Sequence, residues 1–323
     1  MSLHRIVVHE TGGPEVLRLE EVALPDPGPG QVRVRVSACG VNFIDVYHRT
    51  GLYPRPLPFG AGIEGAGTVE AVGPEVTTLA EGDRVAWASA PDSYADAILA
   101  PAALLVRIPD GVEDRVAAAA ILQGMTAHYL AHGTRETLPG DTALVHAAAG
   151  GTGRLLVQML VRAGARVIGT CSTAEKERLV RAAGAEHVVR YTETDFAEEA
   201  RRITDGRGVD VVYDSVGRST FDGSLASLKT RGILVLFGQS SGPVPPFDPA
   251  RLTPGSLFVT RPSLAHYSAD PEEREMRASA VYDAIRAGEL EVRIGGEFPL
   301  ADAAEAHRAL ESRKTTGKLL LIP

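Results

Sequence analysis

The strongest indication of the fold is a glycine-rich turn between a short apolar strand and an amphipathic helix. It reads AAAGGTG over residues 147–153 and ends the apolar strand predicted over 142–147. Compared with the dinucleotide fingerprint G-x-G-x-x-G, it places Ala148, Gly150 and Gly153 at the glycine positions. Gly150 would let the backbone approach a pyrophosphate, and Gly153 would let the helix pack closely on the strand. By itself the turn is also compatible with an ordinary strand-to-helix connection.

The residues after this turn alternate between strand-like and helix-like stretches. Predicted helices cover 154–163 and 174–183, and predicted strands cover 166–171, 187–190, 209–213 and 233–237. Such alternation is typical of a parallel sheet covered by helices on both faces, and it favours dinucleotide binding by the glycine turn. The length of 323 residues allows about two domains. We assign residues 123–263 to this doubly wound Rossmann domain.

The first third of the chain is predicted to be rich in β-strands. Residues 31–36 alternate polar and apolar side chains, which is the pattern of a strand with one buried face. Further predicted elements are short strands at 65–73 and 82–87, helices at 272–287 and 301–312, and a strand at 318–322. We assign 1–122 together with 264–323 to a second domain, which the C-terminal segment would complete.

Composition and charge exclude several classes of protein. The net charge is −8, from 33 basic and 41 acidic residues, and no basic cluster indicates a nucleic-acid surface. No apolar run approaches the ~20 residues of a membrane helix. The two cysteines, Cys39 and Cys171, are too few for a disulfide framework or a four-thiolate zinc site. Because the N-terminal residues lead directly into a strand, we predict no signal peptide and a cytoplasmic location.

The second strand after the glycine turn indicates which dinucleotide would bind. An NAD site usually has Asp or Glu about 20 residues after the glycines, but no acidic residue lies between Gly153 and Glu175. The strand instead ends with Ser172 and Thr173, and Lys176 follows. Two hydroxyls and an ammonium group suit a 2′-phosphate, so we predict NADPH. The alternative is that Ser172 caps the next helix and Lys176 is a solvated surface residue.

Several short motifs along the chain resemble one family. They are GGPEVL at 12–17, GVNFID at 40–45, RTGLYP at 49–54, HAAAGG at 146–151, VYDSVG at 212–217, TRPSL at 260–264 and ESR at 311–313. Together they are similar to the zinc-independent NADPH:quinone oxidoreductases, related to ζ-crystallin, of the medium-chain dehydrogenase/reductase superfamily. The resemblance runs essentially from end to end. It implies an α/β fold class, with a GroES-like β-rich domain that binds substrate and a doubly wound parallel-sheet Rossmann domain that binds NADPH.

The resemblance further implies that the chain has no catalytic metal. Zinc alcohol dehydrogenases of the superfamily hold zinc with Cys, His and Cys, and the matching positions here are Asn42, Ile63 and Gln123. None of these carries a thiolate or an imidazole, so we predict no metal site. We interpret the neighbouring Glu64 as a lone carboxylate that accepts structural hydrogen bonds. Zinc serves where an alkoxide must be stabilised, whereas a quinone or an enone delocalises the added charge.

The resemblance also implies which residues contact substrate and cofactor. Asn42, which could donate or accept a hydrogen bond, and Tyr53 and Gln123 are candidate pocket residues, and we assign no general acid. Including the turn and second strand described above, the expected NADPH contacts are Asn42, Phe43, Asp45, Tyr47, Gly150, Gly151, Thr152, Gly153, Ser172, Thr173, Lys176, Tyr191, Ser215, Phe237, Gln239, Ser240, Arg261, Ser263 and Arg313. For the residues from Tyr191 onward, the alternative is a capped turn or a surface charge.

One principal function and two alternatives fit these residues. We expect an NADPH-dependent quinone reductase that transfers hydride to a quinone without metal. The alternatives are an NADPH-dependent reductase of alkenals or enones, which would share every motif, and a non-catalytic NADPH-binding protein. The expected partners are a small quinone or conjugated carbonyl compound and a second copy of the chain, with no nucleic acid and no membrane. The apolar residues 256–259 are the candidate edge of the homodimer.

Overall fold

The computed structural model describes residues 2–323, which divide into two units. One unit runs up to Met125 and resumes over Asp270–Pro323, and the other is the continuous segment Thr126–Ala269. Each unit has its own sheet structure and its own buried core. In the part of the chain that the structure describes, no helix is long and apolar enough to cross a membrane.

The discontinuous unit is built mainly from antiparallel strands. The elements as far as its second helix are β1 (Leu3–Val8), β2 (Leu17–Val22), β3 (Gln31–Val41), α1 (Phe43–Arg49), β4 (Phe59–Gly60), β5 (Gly65–Val72), β6 (Arg84–Trp87), β7 (Ala97–Pro101), β8 (Val106–Arg107) and α2 (Asp114–Tyr129), whose residues from Thr126 onward belong to the continuous unit. In β3, Val32, Val34 and Val36 are buried, while Arg35 between them is exposed. The alternation in the sequence therefore predicted this strand and its buried face correctly.

The continuous unit contains the parallel sheet predicted from the strand–helix alternation. Its elements are β9 (Thr142–Val145), α3 (Gly151–Arg162), β10 (Arg166–Cys171), α4 (Ala174–Ala182), β11 (His187–Arg190), α5 (Phe196–Ile203), β12 (Val209–Asp214), α6 (Phe221–Ser227), β13 (Leu228–Leu236), β14 (Phe258–Thr260) and α7 (Leu264–Tyr267). The strands pair in parallel in the order β11-β10-β9-β12-β13-β14. The neighbours β9 and β12 are not consecutive in sequence. At such a point the carboxyl ends of the strands form the crevice where ligands bind in this architecture.

The chain returns to the discontinuous unit through its C-terminal elements. These are α8 (Pro271–Arg286), β15 (Ile294–Pro299), α9 (Ala303–Glu311) and β16 (Lys318–Ile322). Strand β16 pairs antiparallel with β3, with Leu319 opposite Val41, and in parallel with β15. The sheet has the order β15-β16-β3-β5-β6-β8, and β7 also pairs with β3. This pairing brings Lys318 to the residues around Asn42.

Candidate active site

The glycine turn of the parallel sheet has the geometry expected of a phosphate-binding loop. Ala147 after β9 has a left-handed backbone (φ 49°), and its carbonyl accepts a hydrogen bond from Gly150 N (2.9 Å). Gly150 is the N-cap of α3 and has no side chain to accept hydrogen bonds from the first turn, which begins with Gly151 and Thr152. At Gly153 a Cβ atom would lie 2.4 Å from Ala147 O, so only glycine allows this approach. The residues present fit the diphosphate of a dinucleotide, because an uncapped helix N-terminus and glycine backbone without side chains favour the binding of an anion.

A buried hydrogen-bond chain fixes the strand ends around this turn. His146, directly after β9, lies 3.0 Å from Thr170 Oγ1 through Nδ1 and 3.0 Å from Ser224 Oγ through Nε2. Ser224 Oγ donates its only proton to Asp214 Oδ2 (2.9 Å), so we assign the ring proton to His146 Nε2, which donates to Ser224. Burial lowers the pKa of His146, so the ring is neutral and Nδ1 accepts from the Thr170 hydroxyl. The chain therefore joins β9, β10, β12 and α6.

The end point of this chain, Asp214, shapes the loop that follows β12. Its Oδ1 accepts hydrogen bonds from Val216 N (2.7 Å) and Gly217 N (2.9 Å). Its backbone carbonyl accepts from Phe237 N (2.9 Å), which connects this loop to the one after β13. Our sequence reasoning missed Asp214 and His146. The available signal was an ionisable residue at the end of each apolar strand.

The residues predicted to contact the cofactor after β12 and β13 lie together. Ser240 N donates to Ser215 O (3.1 Å), so the two loops are joined through their backbones. Arg261, directly after β14, donates from Nη2 to Gln239 Oε1 (3.0 Å). The structure therefore brings these four residues and Phe237 to the carboxyl ends of neighbouring strands, which is the edge of the sheet where this architecture binds ligands.

The residues predicted to hold the 2′-phosphate gather at the carboxyl ends of β10 and β11. Thr173 is the N-cap of α4, and its Oγ1 accepts a hydrogen bond from Lys176 N (3.2 Å). The alternative in which Ser172 caps the helix is therefore wrong, because the residue with the extended cap backbone and the side-chain hydrogen bond is Thr173. Ser172 O accepts from Thr192 Oγ1 (3.0 Å), which holds this loop beside Tyr191, whose side chain is 47% exposed. Two hydroxyls, an ammonium group and an exposed aromatic ring suit the phosphorylated adenosine of NADPH.

In the discontinuous unit, buried neighbours hold the Asn42 side chain. Asn42 Nδ2 donates to Gly40 O (3.2 Å) and to Glu64 Oε2 (2.7 Å), and Oδ1 accepts from Lys318 Nζ (2.7 Å). These partners fix the orientation of the amide, because a lysine can only donate and a carbonyl or carboxylate can only accept. Both amide protons are used by these partners. Of the two roles expected for Asn42, donating a hydrogen bond to a ligand is therefore disfavoured by this geometry.

Glu64 is not the lone carboxylate expected from the sequence, because Lys318 on β16 forms a buried ion pair with it. Lys318 and Glu64 are 1% and 0% exposed, and Lys318 Nζ donates to Glu64 Oε2. Glu64 Oε1 accepts from Leu122 N (2.8 Å), which anchors α2 next to Gln123. A Cβ atom at Gly40 would lie 2.2 Å from Glu64 Oε2 and 2.8 Å from Lys318 Cε, so the pair requires glycine there.

The three positions that the family resemblance matches to zinc ligands carry two amides and an aliphatic side chain. Asn42 is held as described, Ile63 is apolar, and Gln123 is half-buried on α2. Among residues 2–323, no group of three or more His, Cys, Asp or Glu side chains could hold a metal ion. The nearby Cys39 is buried, and burial raises the pKa of its thiol to about 12. The thiolate form that zinc binds is therefore strongly disfavoured at Cys39.

Aromatic side chains follow Asn42 on α1 and in the loop after it. The rings of Tyr47 and Tyr53 lie edge to face with centroids 5.2 Å apart, and Tyr53 N donates to Tyr47 O (3.0 Å). The ring centroid of Phe43 lies 6.2 Å from that of Tyr47. Asp45 forms a capping box with Asn42, since Asn42 N donates to Asp45 Oδ2 (2.8 Å). The structure therefore gathers these five predicted residues in one segment.

Two predicted cofactor residues stand apart from these clusters. Ser263 is the N-cap residue of the short helix α7, and no side-chain cap hydrogen bond is formed there. Arg313 follows α9 in the discontinuous unit, where its backbone is left-handed (φ 59°) and its side chain is exposed. Their assignment to the cofactor stays a prediction from the family resemblance.

The chain matches two domain families and several known proteins. Residues 28–139 match the alcohol dehydrogenase GroES-like domain, and residues 183–321 match the zinc-binding dehydrogenase family. A quinone oxidoreductase of Pseudomonas aeruginosa is 45% identical over 322 residues, which cover 99% of each chain. A 2-haloacrylate reductase of a Burkholderia species is 44% identical over 330 residues, which cover 98% of each chain. The solved structure of mycobacterial Rv1454c complexed with NADPH is 52% identical with a TM-score of 0.96, and the match covers 99% of this chain and 100% of that one.

These matches confirm the architecture expected from the sequence. The GroES-like domain match begins in the β-rich part of the chain and covers most of its first segment, and the parallel sheet of the continuous unit is the predicted Rossmann domain. Similarity at 44–45% identity extends over nearly the full length of both relatives, so it covers the cofactor turn and the Asn42 segment alike. The chain therefore belongs to the quinone oxidoreductase family of the medium-chain dehydrogenase/reductase superfamily.

Proposed function

We propose that this protein is an NADPH-dependent quinone reductase that transfers hydride to its acceptor without a metal. The observation that carries this proposal is the buried network of Asn42, Glu64 and Lys318, which includes a position that the family resemblance matches to a zinc ligand of the zinc alcohol dehydrogenases. An ion pair and a fixed amide lie at this point, so the acceptor has to delocalise the added charge itself. A quinone does so, because its reduction gives a stabilised phenolate.

The residues of the continuous unit support NADPH as the reductant. When bound, NADPH supplies the hydride. Ser172, Thr173 and Lys176 would hold the 2′-phosphate, and residues 150–153 would hold the diphosphate. The NADPH complex of the mycobacterial relative supports this choice of cofactor. We accordingly assign cofactor binding to Thr126–Ala269 and substrate binding to the discontinuous unit.

The segment that follows Asn42 suits a flat acceptor. Tyr47 and Tyr53 are edge-to-face rings against which a planar molecule can pack. The Tyr53 hydroxyl and the Gln123 amide are candidate donors to an oxygen on which charge develops. Both Asn42 amide protons are used, so its contact with the cofactor or the substrate would be through Oδ1 as an acceptor. We assign no general acid, because water can protonate the product.

A second candidate activity is the reduction of conjugated carbon–carbon double bonds. It is favoured by the 44% identity to a 2-haloacrylate reductase over nearly the whole chain. The same residues would serve an enone or an alkenal, because the enolate formed by hydride addition also delocalises its charge.

Steady-state kinetics test both candidate activities. The rate of NADPH oxidation by the purified protein is measured with quinones, alkenals, enones and 2-haloacrylates. We expect kcat/KM to be highest for a quinone and to be unchanged after treatment with a chelator. A higher kcat/KM for an enone or a 2-haloacrylate would replace the quinone proposal with the second one. NADPH binding without turnover of any acceptor would identify a non-catalytic NADPH-binding protein. Activity that is lost on chelation and restored by zinc would contradict metal-free transfer.

We also propose that the protein is a cytoplasmic homodimer. Strand β14 lies at the edge of the parallel sheet, and Phe258 on this strand is 58% exposed, so a second copy could cover it. We expect Phe258→Glu to convert a dimer into a monomer in analytical ultracentrifugation. Leu138→Glu, at another exposed apolar residue, should leave the dimer intact. A wild-type protein that sediments as a monomer would contradict the proposal, and cell fractionation tests the location.

A further inference from the structure

A buried hydrogen-bond chain that ends at Asp45 is not used by the proposed reaction. Tyr94 OH lies 2.8 Å from Asp45 Oδ2 and 3.3 Å from His307 Nε2. Arg49 Nη1 lies 3.0 Å from His307 Nδ1. The four side chains are at most 3% exposed, so water does not compete for these hydrogen bonds. The chain joins α1, α9 and the segment before β7.

The donors of this chain all point toward Asp45. Arg49 can only donate, so His307 Nδ1 accepts from it. Burial and the Arg49 charge lower the pKa of His307 to about 3, so the ring is neutral and its single proton is on Nε2. His307 Nε2 therefore donates to the Tyr94 oxygen. The only proton of Tyr94 is then given to Asp45 Oδ2.

The hydrogen-bond chain directs donors toward the Asp45 carboxylate and does not conduct protons. Its far end is the Arg49 guanidinium, which does not release a proton in proteins. Arg49 also donates to both carboxylate oxygens of Glu311, at 3.0 Å each. A proton that moved along the chain to Asp45 could not be replaced from this end. The function of the chain therefore depends on which groups the Asp45 carboxylate binds.

Asp45 holds the segment that contains Asn42. Its Oδ2 accepts from Asn42 N (2.8 Å), while its buried Oδ1 has no hydrogen-bond partner among the described residues. Burial raises the pKa of Asp45 to about 7, and the hydrogen bonds from Tyr94 and Asn42 N oppose this rise. The other charged groups that face it are Lys318 on β16, which favours the ionised form, and Glu64, which disfavours it; the nearby Cys39 thiol is neutral, because burial raises its pKa to about 12.

We propose that Tyr94 and His307 are positioning residues, whose donor chain keeps the Asp45 carboxylate bound to Asn42 N. Asn42 is thereby held from two sides, through its backbone by Asp45 and through its side chain by Glu64 and Lys318. This inference rests on the proposed function, because it requires Asn42 to contact the cofactor or the substrate.

The pH dependence of kcat/KM for quinone reduction tests the positioning role. Tyr94→Phe removes one donor to a buried carboxylate, so Asp45 would take up a proton at higher pH. We expect the acid limb of the profile to move upward by roughly one to two pH units, with kcat/KM near the wild-type value above the limb. A loss of kcat/KM by the same factor at every pH would indicate a merely structural role and would overturn the proposal.

Two substitutions of His307 provide a matched comparison. In His307→Gln, the new amide can accept from Arg49 through its oxygen and donate to Tyr94 through its nitrogen, so we expect the wild-type acid limb. In His307→Leu both hydrogen bonds of His307 are lost, but Tyr94 can still donate to Asp45. The limb should therefore move in the same direction as in Tyr94→Phe, by a smaller amount. Identical profiles for the two substitutions would overturn the proposal.

Thermal stability measured against pH tests the same chain without turnover. The pKa of Asp45 is about 7 in the folded protein against an ordinary value of 3.8, so folding takes up a proton between these values. The contribution of Asp45 to stability therefore falls as the pH rises through this window. Asp45→Asn lacks this ionisation, so we expect its Tm relative to the wild type to rise over the same pH range. In Tyr94→Phe the decline should extend to higher pH.

The two measurements separate the inference from the proposed function. Tm differences that stay constant with pH would overturn the role of the chain at Asp45, whatever the turnover. A lack of turnover with every acceptor would overturn the proposed function, and the Tm series would still decide whether Tyr94 and His307 act on Asp45.

Discussion

Replacing Lys318 by methionine is expected to lower the free energy of unfolding by about 3–5 kcal/mol, because Glu64 would be left buried without its cation. The two side chains are 1% and 0% exposed, so water does not reach the carboxylate to replace the ammonium group. The substitution also removes the hydrogen bond to Asn42 Oδ1, so we expect kcat/KM for quinone reduction to fall as well. Urea denaturation followed by circular dichroism measures the change in unfolding free energy.

A double variant distinguishes the effect of the lost cation on stability from the effect of the lost side-chain packing. Lys318→Met combined with Glu64→Gln removes both charges, and the glutamine can still accept from Leu122 N, so most of the stability should return. Lys314→Met, at an exposed lysine before β16, should change the unfolding free energy by no more than ~0.5 kcal/mol. If Lys318→Met were as stable as Lys314→Met, the ion pair would have no structural role.

Replacing Lys176 by alanine is expected to lower kcat/KM for NADPH by roughly 10- to 100-fold, because a hydrogen bond to a charged group is worth about 1.5–3 kcal/mol. The value for NADH should stay nearly unchanged, because NADH has no 2′-phosphate. Burial lowers the pKa of Lys176, which indicates that its ammonium group is partly withdrawn from water, where ionic hydrogen bonds are stronger. Steady-state kinetics with both cofactors measure the two values.

An arginine on the same helix provides the control for Lys176. Arg178 is exposed on α4 and also carries a positive charge, so Arg178→Ala tests whether any cation on this helix matters. We expect it to leave both kcat/KM values unchanged. Equal losses for NADPH and NADH in Lys176→Ala would show that the lysine does not recognise the 2′-phosphate.

The fold could be predicted because its signals are local. The helices predicted over 174–183 and 272–287 correspond to α4 (Ala174–Ala182) and α8 (Pro271–Arg286), since helical spacing and capping residues act within a few positions. The glycine turn and the cluster around Ser172 could also be predicted from the sequence, because their residues follow consecutive strands of one parallel sheet. The sequence did not distinguish Ser172 from Thr173 as the helix cap, because that depends on which of two adjacent hydroxyl residues has the extended backbone.

The parts of the site that could not be predicted depend on contacts between distant residues. Lys318 and Glu64 are 254 positions apart, and Tyr94 and His307 are 213 apart. No local pattern in the sequence indicates that such distant residues are in contact. Without knowledge of Lys318, Glu64 is therefore interpreted as an isolated carboxylate. The orientation of the Asn42 amide could not be predicted for the same reason, since it is set by Glu64 and Lys318 together.

The position of β16 in the chain also determines when the Glu64 charge is neutralised during protein synthesis. The ribosome makes the whole of Thr126–Ala269 after Glu64 and before Lys318, so the parallel-sheet segment exists in full while the lysine is still untranslated. A carboxylate without its counterion is costly to remove from water. We therefore expect Glu64 to stay hydrated in the nascent chain at least until the strand that carries its partner has been synthesised.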